Sequence, residues 1–172
     1  MTTHPPSRPA LKYHGGKWKI APWIIGHLPE HHTYVEPYGG AASVLLRKPR
    51  SRDETYNDLD GEIVNLFKII RDHPRRMTRA LLWTPYSRAE YRAAFDLTDD
   101  PFETARRTII RSFMGFSGVV INREINSGFR ARSSRFGRRA AREWMNYPKN
   151  VRTLAARFRG VTLENKIGRA HV

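Results

Sequence analysis

Cysteine is absent from this 172-residue chain, which excludes a disulfide framework, a thiolate metal site and a cysteine nucleophile and agrees with a reducing compartment. Acidic residues are scarce, with 16 Asp and Glu against 31 Lys and Arg, a formal net charge of +15. No apolar run approaches the roughly 20 residues that a membrane span needs, and the proline-rich start lacks the apolar stretch of a secretion signal. The expectation is a soluble, cytoplasmic protein. Its partner is expected to be polyanionic, nucleic acid first, because each Lys or Arg set on a phosphate releases a condensed counterion. Aromatic residues are plentiful: 4 Trp, 7 Tyr and 8 Phe among 40% hydrophobic residues exclude disorder of the whole chain. The length suits one domain, or one domain with an insertion.

Residues 1–10 hold Pro5, Pro6 and Pro9 with no apolar period and read as a disordered tail. Pro22 opens a short helix on which Trp23, Ile24 and Leu28 share a face. The stretch 32–37 reads as a strand, followed by the small-residue run 39–43 and the apolar Val44, Leu45 and Leu46 of a helix. A second strand is expected over 55–58. Asp60 is placed to cap a helix whose Ile63, Leu66, Phe67 and Ile70 recur at helical spacing until His73 and Pro74 close it. Strand, glycine turn, helix, strand and helix in that order open a parallel α/β sheet. From 75 onward the pattern predicts helices over 77–83, 87–95 and 101–114, an irregular basic stretch over 115–137, a helix over 140–157 that Pro148 can interrupt, and a third strand over 160–164.

Three segments carry chemistry. Lys12-Tyr-His-Gly-Gly-Lys17 sets two glycines between a ring and an ammonium, so a loop can approach a ligand closely; an ordinary turn with surface lysines is the alternative. Tyr34-Val-Glu-Pro-Tyr-Gly-Gly-Ala-Ala-Ser43 is a turn of small residues at the carboxyl end of the first strand, where a nucleotide-like ligand can dock. Asp58, at the end of the next strand, is placed to accept hydrogen bonds from ribose hydroxyls. Helix capping is its alternative duty, for which Asp60 is better placed. His31 and His32 have no carboxylate at ligand spacing, so no metal is expected, and His14 reads as a surface residue.

These segments, in this order, resemble the Dam-like DNA adenine methyltransferases. That family has an aromatic-x-Gly-Gly-Lys segment, an acidic-Pro-Phe-x-Gly-x-Gly turn and an Asn-Asp strand end, and the resemblance runs from about Leu11 to Asn165. It implies a Rossmann-like α/β sheet, incomplete here, that binds S-adenosylmethionine, with an inserted helical, basic target-recognition region. Carried over by position, it puts Tyr13 near the methionine part of the cofactor with Gly16 beside it and Lys17 at the polar end. Glu36, Pro37, Tyr38 and Gly40 would form the turn beneath, Asp58 would hold the ribose, and Leu59 would line the adenine pocket. Tyr38 stands where the family has Phe, and Ala42 where it has glycine. The implied organisation is a cofactor-binding part over 11–74, a recognition insertion over 75–157 and a return strand over 158–165.

The basic stretch agrees by separate reasoning. From Arg106 to Arg142 there are ten arginines and one acid, Glu124. Arg123, Arg130, Arg132, Arg135 and Arg138 are candidates for phosphate contacts, with one or two reading guanine, and Asn122 and Asn126 could pair with adenine edges. A merely solvated basic surface is the bland alternative. The Asp-Pro-Pro-Tyr motif with which the family holds the target amine is absent. Residues 167–172 match the in-frame translation of a common sequencing adapter, so 166–172 is expected to be a non-native tail on an inactive amino-terminal fragment. The implied activity of the whole enzyme is methylation of adenine in duplex DNA, in a bacterial or phage-infected cell, with a restriction endonuclease as possible companion. A non-enzymatic nucleic-acid-binding protein and an RNA methyltransferase are the competing readings.

Overall fold

The structure, a computed structural model, describes residues 5–116, 127–131 and 140–167. Thr33–Glu36 (β1), Asp53–Asn57 (β2) and Val161–Glu164 (β3) form one parallel sheet in the order β1-β2-β3. Thr33 lies beside Asp53 and Glu36 beside Tyr56, while Glu54 pairs with Val161 and Asn57 with Glu164. Parallel neighbours require crossovers. The first carries Ser43–Arg47 (α2), against which Ala21–Gly26 (α1) packs with Pro22 in its first turn.

The second crossover carries the remaining helices. Gly61–Asp72 (α3) begins where the Asp60 carboxylate accepts the amides of Glu62 and Ile63 at 2.9 and 3.4 Å, and its expected apolar face is buried. Pro74 then opens Pro74–Trp83 (α4), and Ser87 caps Arg88–Ala93 (α5) through the Glu90 amide. Asp100 caps Pro101–Met114 (α6). The helix expected over 140–157 is two helices, Ala140–Asn146 (α7) and Pro148–Phe158 (α8). Pro148 cannot supply the amide that would continue the first, but its fixed φ suits the first turn of the second.

The core joins sheet and helices. Tyr56 of β2 meets Phe67 of α3 and Phe158 of α8 edge-on, and those two rings stack 4.5 Å apart. Burying each such ring contributes about 1.5–3 kcal/mol. α3 also packs on α6, and α4 on α8, so the helices between β2 and β3 share one apolar cluster with the sheet.

Among the described residues, four charged side chains, Lys48, Glu54, Arg111 and Arg157, are buried beside it. Glu54 takes a bidentate pair from Arg157 at 2.6 and 2.8 Å and a third bond from Lys48 at 3.1 Å. Burial alone would raise the Glu54 carboxyl, but Arg157, the Ser51 amide and Lys48 together hold it below its ordinary value. Arg111, fully buried, donates to Glu62 and to the Ala94 carbonyl.

The expected free tail over 1–10 does not hold for its described part. Pro6 and Ala10 are buried, and the Tyr147 hydroxyl donates to the Ala10 carbonyl at 2.8 Å. The prolines hide any periodic signal, yet the segment lies against α8 and leads Leu11 into the core.

Candidate functional site

β1 ends at Glu36, and the chain must turn sharply to enter α2. Gly39 is buried against the Tyr56 ring so closely that a methyl built there overlaps it. Its amide donates to the Asn57 carbonyl at 2.9 Å, which ties the turn to β2. Gly40 adopts φ +47°, and its carbonyl accepts from the Tyr56 hydroxyl at 2.6 Å. Ala42, where the family has glycine, is also left-handed at φ 53° and fully buried. The alanine is accommodated, at the cost of a conformation that disfavours a Cβ.

Glu36 closes the turn from below. Its carboxylate accepts from the Leu45 amide at 2.9 Å and from the Tyr34 hydroxyl at 3.3 Å. Burial pushes this carboxyl up to about 7, outweighing the Leu45 and Val44 amides and Tyr34, which favour the charged form. Glu36 thus acts on the start of α2, and Pro37 accepts from the Asn57 side chain at 2.8 Å.

The first motif arrives at the same place. Tyr13 heads a turn closed by the Gly16 amide on its carbonyl at 3.0 Å, with Gly15 at φ +73°. Its half-buried ring lies over Gly40: a Cβ added there would sit 3.1 Å from Tyr13 Cε1. Asp58 completes the group. One carboxylate oxygen accepts the Gly40 amide at 2.7 Å and the other the Asp60 amide at 2.9 Å. Burial, and the negative charges of Asp58 and Asp60, raise the Tyr13 phenol above its ordinary value. Tyr13, Gly40 and Asp58 therefore converge at the carboxyl ends of β1 and β2. Tyr38 and Leu59 flank them, 74% and 69% exposed. Lys17 belongs to the Tyr13 loop, but its exposed ammonium is bonded back to the Gly15 carbonyl at 2.6 Å.

Two asparagines that the sequence reading did not single out hold this arrangement. Asn57 exchanges side-chain hydrogen bonds with the Lys166 backbone at 2.9 and 3.0 Å. Asn165 donates to the carbonyls of both Asp58 and Leu59, so the chain after β3 clamps the loop after β2. The available signal was Asn57 itself, an amide beside the strand-end acid.

Of the candidate DNA contacts, Asn122, Arg123, Asn126, Arg132, Arg135 and Arg138 lie outside the described residues. Arg130 is described and engaged. Its guanidinium bonds Glu143 at 2.9 Å, and Glu143 also takes Lys12 at 2.6 Å. Its amide donates to Met114 and its carbonyl accepts from Tyr86, both at 2.7 Å. Gly115 and Phe129 form an isolated antiparallel bridge beside it. Among the described residues no cluster of His, Asp and Glu could hold a metal ion, and no helix is long and apolar enough to cross a membrane.

The sequence model of the D12 class N6 adenine-specific DNA methyltransferase family matches residues 13–169. The chain is 30% identical to a DNA adenine methylase of Salmonella typhi over 120 residues, 66% of this chain and 43% of that protein. It is 28% identical over the same length to the DNA adenine methylase of Escherichia coli (strain K12), again 43% of that protein. A third DNA adenine methylase, of Vibrio cholerae serotype O1, is 28% identical over 119 residues. The chain thus spans less than half the length of the curated relatives it matches.

Proposed function

Because the chain belongs to the D12 class N6 adenine-specific DNA methyltransferase family, we propose that it forms the cofactor-binding and target-recognition part of an enzyme that methylates the exocyclic amine of adenine in duplex DNA. The observation that carries this reading is the convergence of Tyr13, Gly40 and Asp58 at the carboxyl ends of β1 and β2. S-adenosylmethionine supplies an activated methyl group when bound. The residues fit such a molecule: Gly40, with no Cβ, lets the Tyr13 ring close on the turn, and an acceptor and exposed apolar side chains stand beside it.

Each group has a separate duty in this reading. Tyr13 packs on the cofactor's aliphatic part, with Gly16 keeping its loop tight. Asp58, its carboxylate aimed by the Gly40 and Asp60 amides, accepts from ribose hydroxyls with its remaining lone pairs. Leu59 and Tyr38 shield the adenine ring from water. Glu36 and Pro37 keep the turn in place without touching the ligand. Lys17 exchanges its bond to Gly15 for the cofactor's carboxylate, which its exposed side chain permits. Arg123, Arg132, Arg135, Arg138, Asn122 and Asn126 contact the duplex from the segment between α6 and α7, and Arg130 anchors that segment to α7. The sequence contains no Asp-Pro-Pro-Tyr to hold the target amine, and the chain alone is expected to bind without methylating.

The test is equilibrium dialysis of the 172-residue chain against labelled S-adenosylmethionine. Saturable binding displaced by S-adenosylhomocysteine and not by ATP is expected. Absence of binding by the folded chain overturns the reading in favour of a plain nucleic-acid-binding module.

A further inference from the structure

A groove of about 520 Å³ runs between the outer face of α8 and the segment that leads to Leu11, on the far side of that helix from the core. Ser7, Arg8, Lys149, Asn150, Arg152 and Thr153 line it, and no acidic side chain does. Several arginines around the helical core are neutralised internally: Arg106 and Arg107 by Glu103, Arg130 by Glu143, Arg157 by Glu54. Arg8, Lys149 and Arg152 are exposed and, among the described residues, form no ion pair. Three uncompensated cations facing one groove attract an anion.

Asn150 makes the groove more than a basic patch. The residue is 8% exposed, and its Nδ2 is buried without a hydrogen-bond acceptor. Buried donors are nearly always paired, so an orphan on the wall of a cationic groove points to an acceptor brought by a ligand. It stands in the first turn of the eleven-residue α8, whose Tyr147 supplies no side-chain cap. The positive end of that helix adds to the same field. Only Arg159 and Gly160 separate α8 from β3, so the helix runs back against the strand. Its N-terminus therefore lies toward the carboxyl ends of the strands, the end that carries Tyr13 and Asp58.

We propose that this groove takes a phosphate of the duplex backbone outside the recognised bases, with Arg8 and Arg152 as its cations and Asn150 Nδ2 as its fixed donor. The inference rests on the reading of the chain as DNA-binding. It adds a second contact surface, separate from the segment between α6 and α7. Phosphate contacts of this kind position a duplex and carry no sequence information.

The experiment measures duplex binding by fluorescence anisotropy across about 50 to 200 mM salt, for the native chain and for Arg8→Gln with Arg152→Gln. The side-chain amide resonance of Asn150 is followed by NMR. The paired substitution is expected to reduce the salt slope by roughly 1 to 2 units, and the duplex should move the Asn150 resonance in the native chain but not in the groove variant. Arg75→Gln with Arg79→Gln, which removes two exposed charges of α4, should leave the Asn150 response intact. An unchanged slope in the groove variant, with native binding preserved, overturns this inference alone. A resonance that moves with inorganic phosphate but not with duplex marks a free-anion site and overturns it too. No duplex binding by the native chain overturns both this inference and the DNA-binding reading.

Discussion

Asp58→Ala removes a side chain that serves the fold and, in the proposed function, the ligand. Its two oxygens hold the Gly40 and Asp60 amides at 2.7 and 2.9 Å. A hydrogen bond to a charged group contributes about 1.5–3 kcal/mol net, so two bonds set an upper range of about 3–6 kcal/mol. The Asp60 amide can be re-solvated once the carboxylate is gone, whereas buried Gly40 keeps an unpaired donor. The expected loss is therefore about 2–4 kcal/mol. With a urea dependence of about 2 kcal/mol per molar, the midpoint should fall by roughly 1–2 M. Asp58→Asn separates the two duties, because an amide keeps one acceptor but turns a donor toward the second backbone N–H. It should lie between native and alanine in stability and still lose about tenfold or more in S-adenosylmethionine affinity. An unchanged urea midpoint for Asp58→Ala would refute the strut. Native cofactor affinity in a folded Asp58→Asn would refute the ribose contact.

Two further outcomes follow from the turn above Asp58. The Glu36 carboxyl binds its proton up to about pH 7 in the folded chain and only to about 4.5 when unfolded, so its stabilising contribution is complete below about 4.5 and is lost as pH rises through 7. That change amounts to about 3 kcal/mol, and Glu36→Gln should remove it, which urea titrations of both proteins at pH 5 and pH 8 would register; parallel pH profiles would count against the buried position of Glu36. Gly39→Ala drives a methyl into Tyr56, which is held by Gly40 and wedged against Phe67 and Phe158. It should cost about 1–3 kcal/mol or more and lower Tm by roughly 5–10 °C; an unaltered Tm would mean that the turn does not pack on that ring.

What was legible in the sequence is what neighbouring residues decide among themselves. Ile63, Leu66, Phe67 and Ile70 show α3 by their spacing, Asp60 marks its start by its chemistry, and the glycine pair after Glu36 requires a turn. What was hidden depends on partners far along the chain. Arg157 and Glu54 are 103 positions apart and Arg111 and Glu62 are 49 apart; no local pattern distinguishes such arginines from those left for solvent. The count of ten arginines between Arg106 and Arg142 therefore overstates the free charge there, since Arg106, Arg107, Arg111 and Arg130 are all paired within the fold. The clamp of Asn165 on Asp58 and Leu59 escaped for the same reason. The packing of Pro6 and Ala10 escaped because a proline-rich segment buries side chains without any period to reveal it.

The bonds around the candidate site share a feature that bears on how it works. Asp58, Glu36, Asn57 and Asn165 each spend side-chain hydrogen bonds on the backbone of a neighbouring turn, and Tyr56 does the same from inside the core. The turn after β1, the loop after β2 and the chain after β3 are thereby fixed to one another before any ligand arrives. In the proposed function, a ligand entering between Tyr13 and Asp58 meets groups already oriented, so little of its binding energy is lost in ordering loops. The same construction makes the site intolerant of change, because a side chain that aims the carboxylate also closes a helix or a strand end. That is why the sequence signal is concentrated at these few positions.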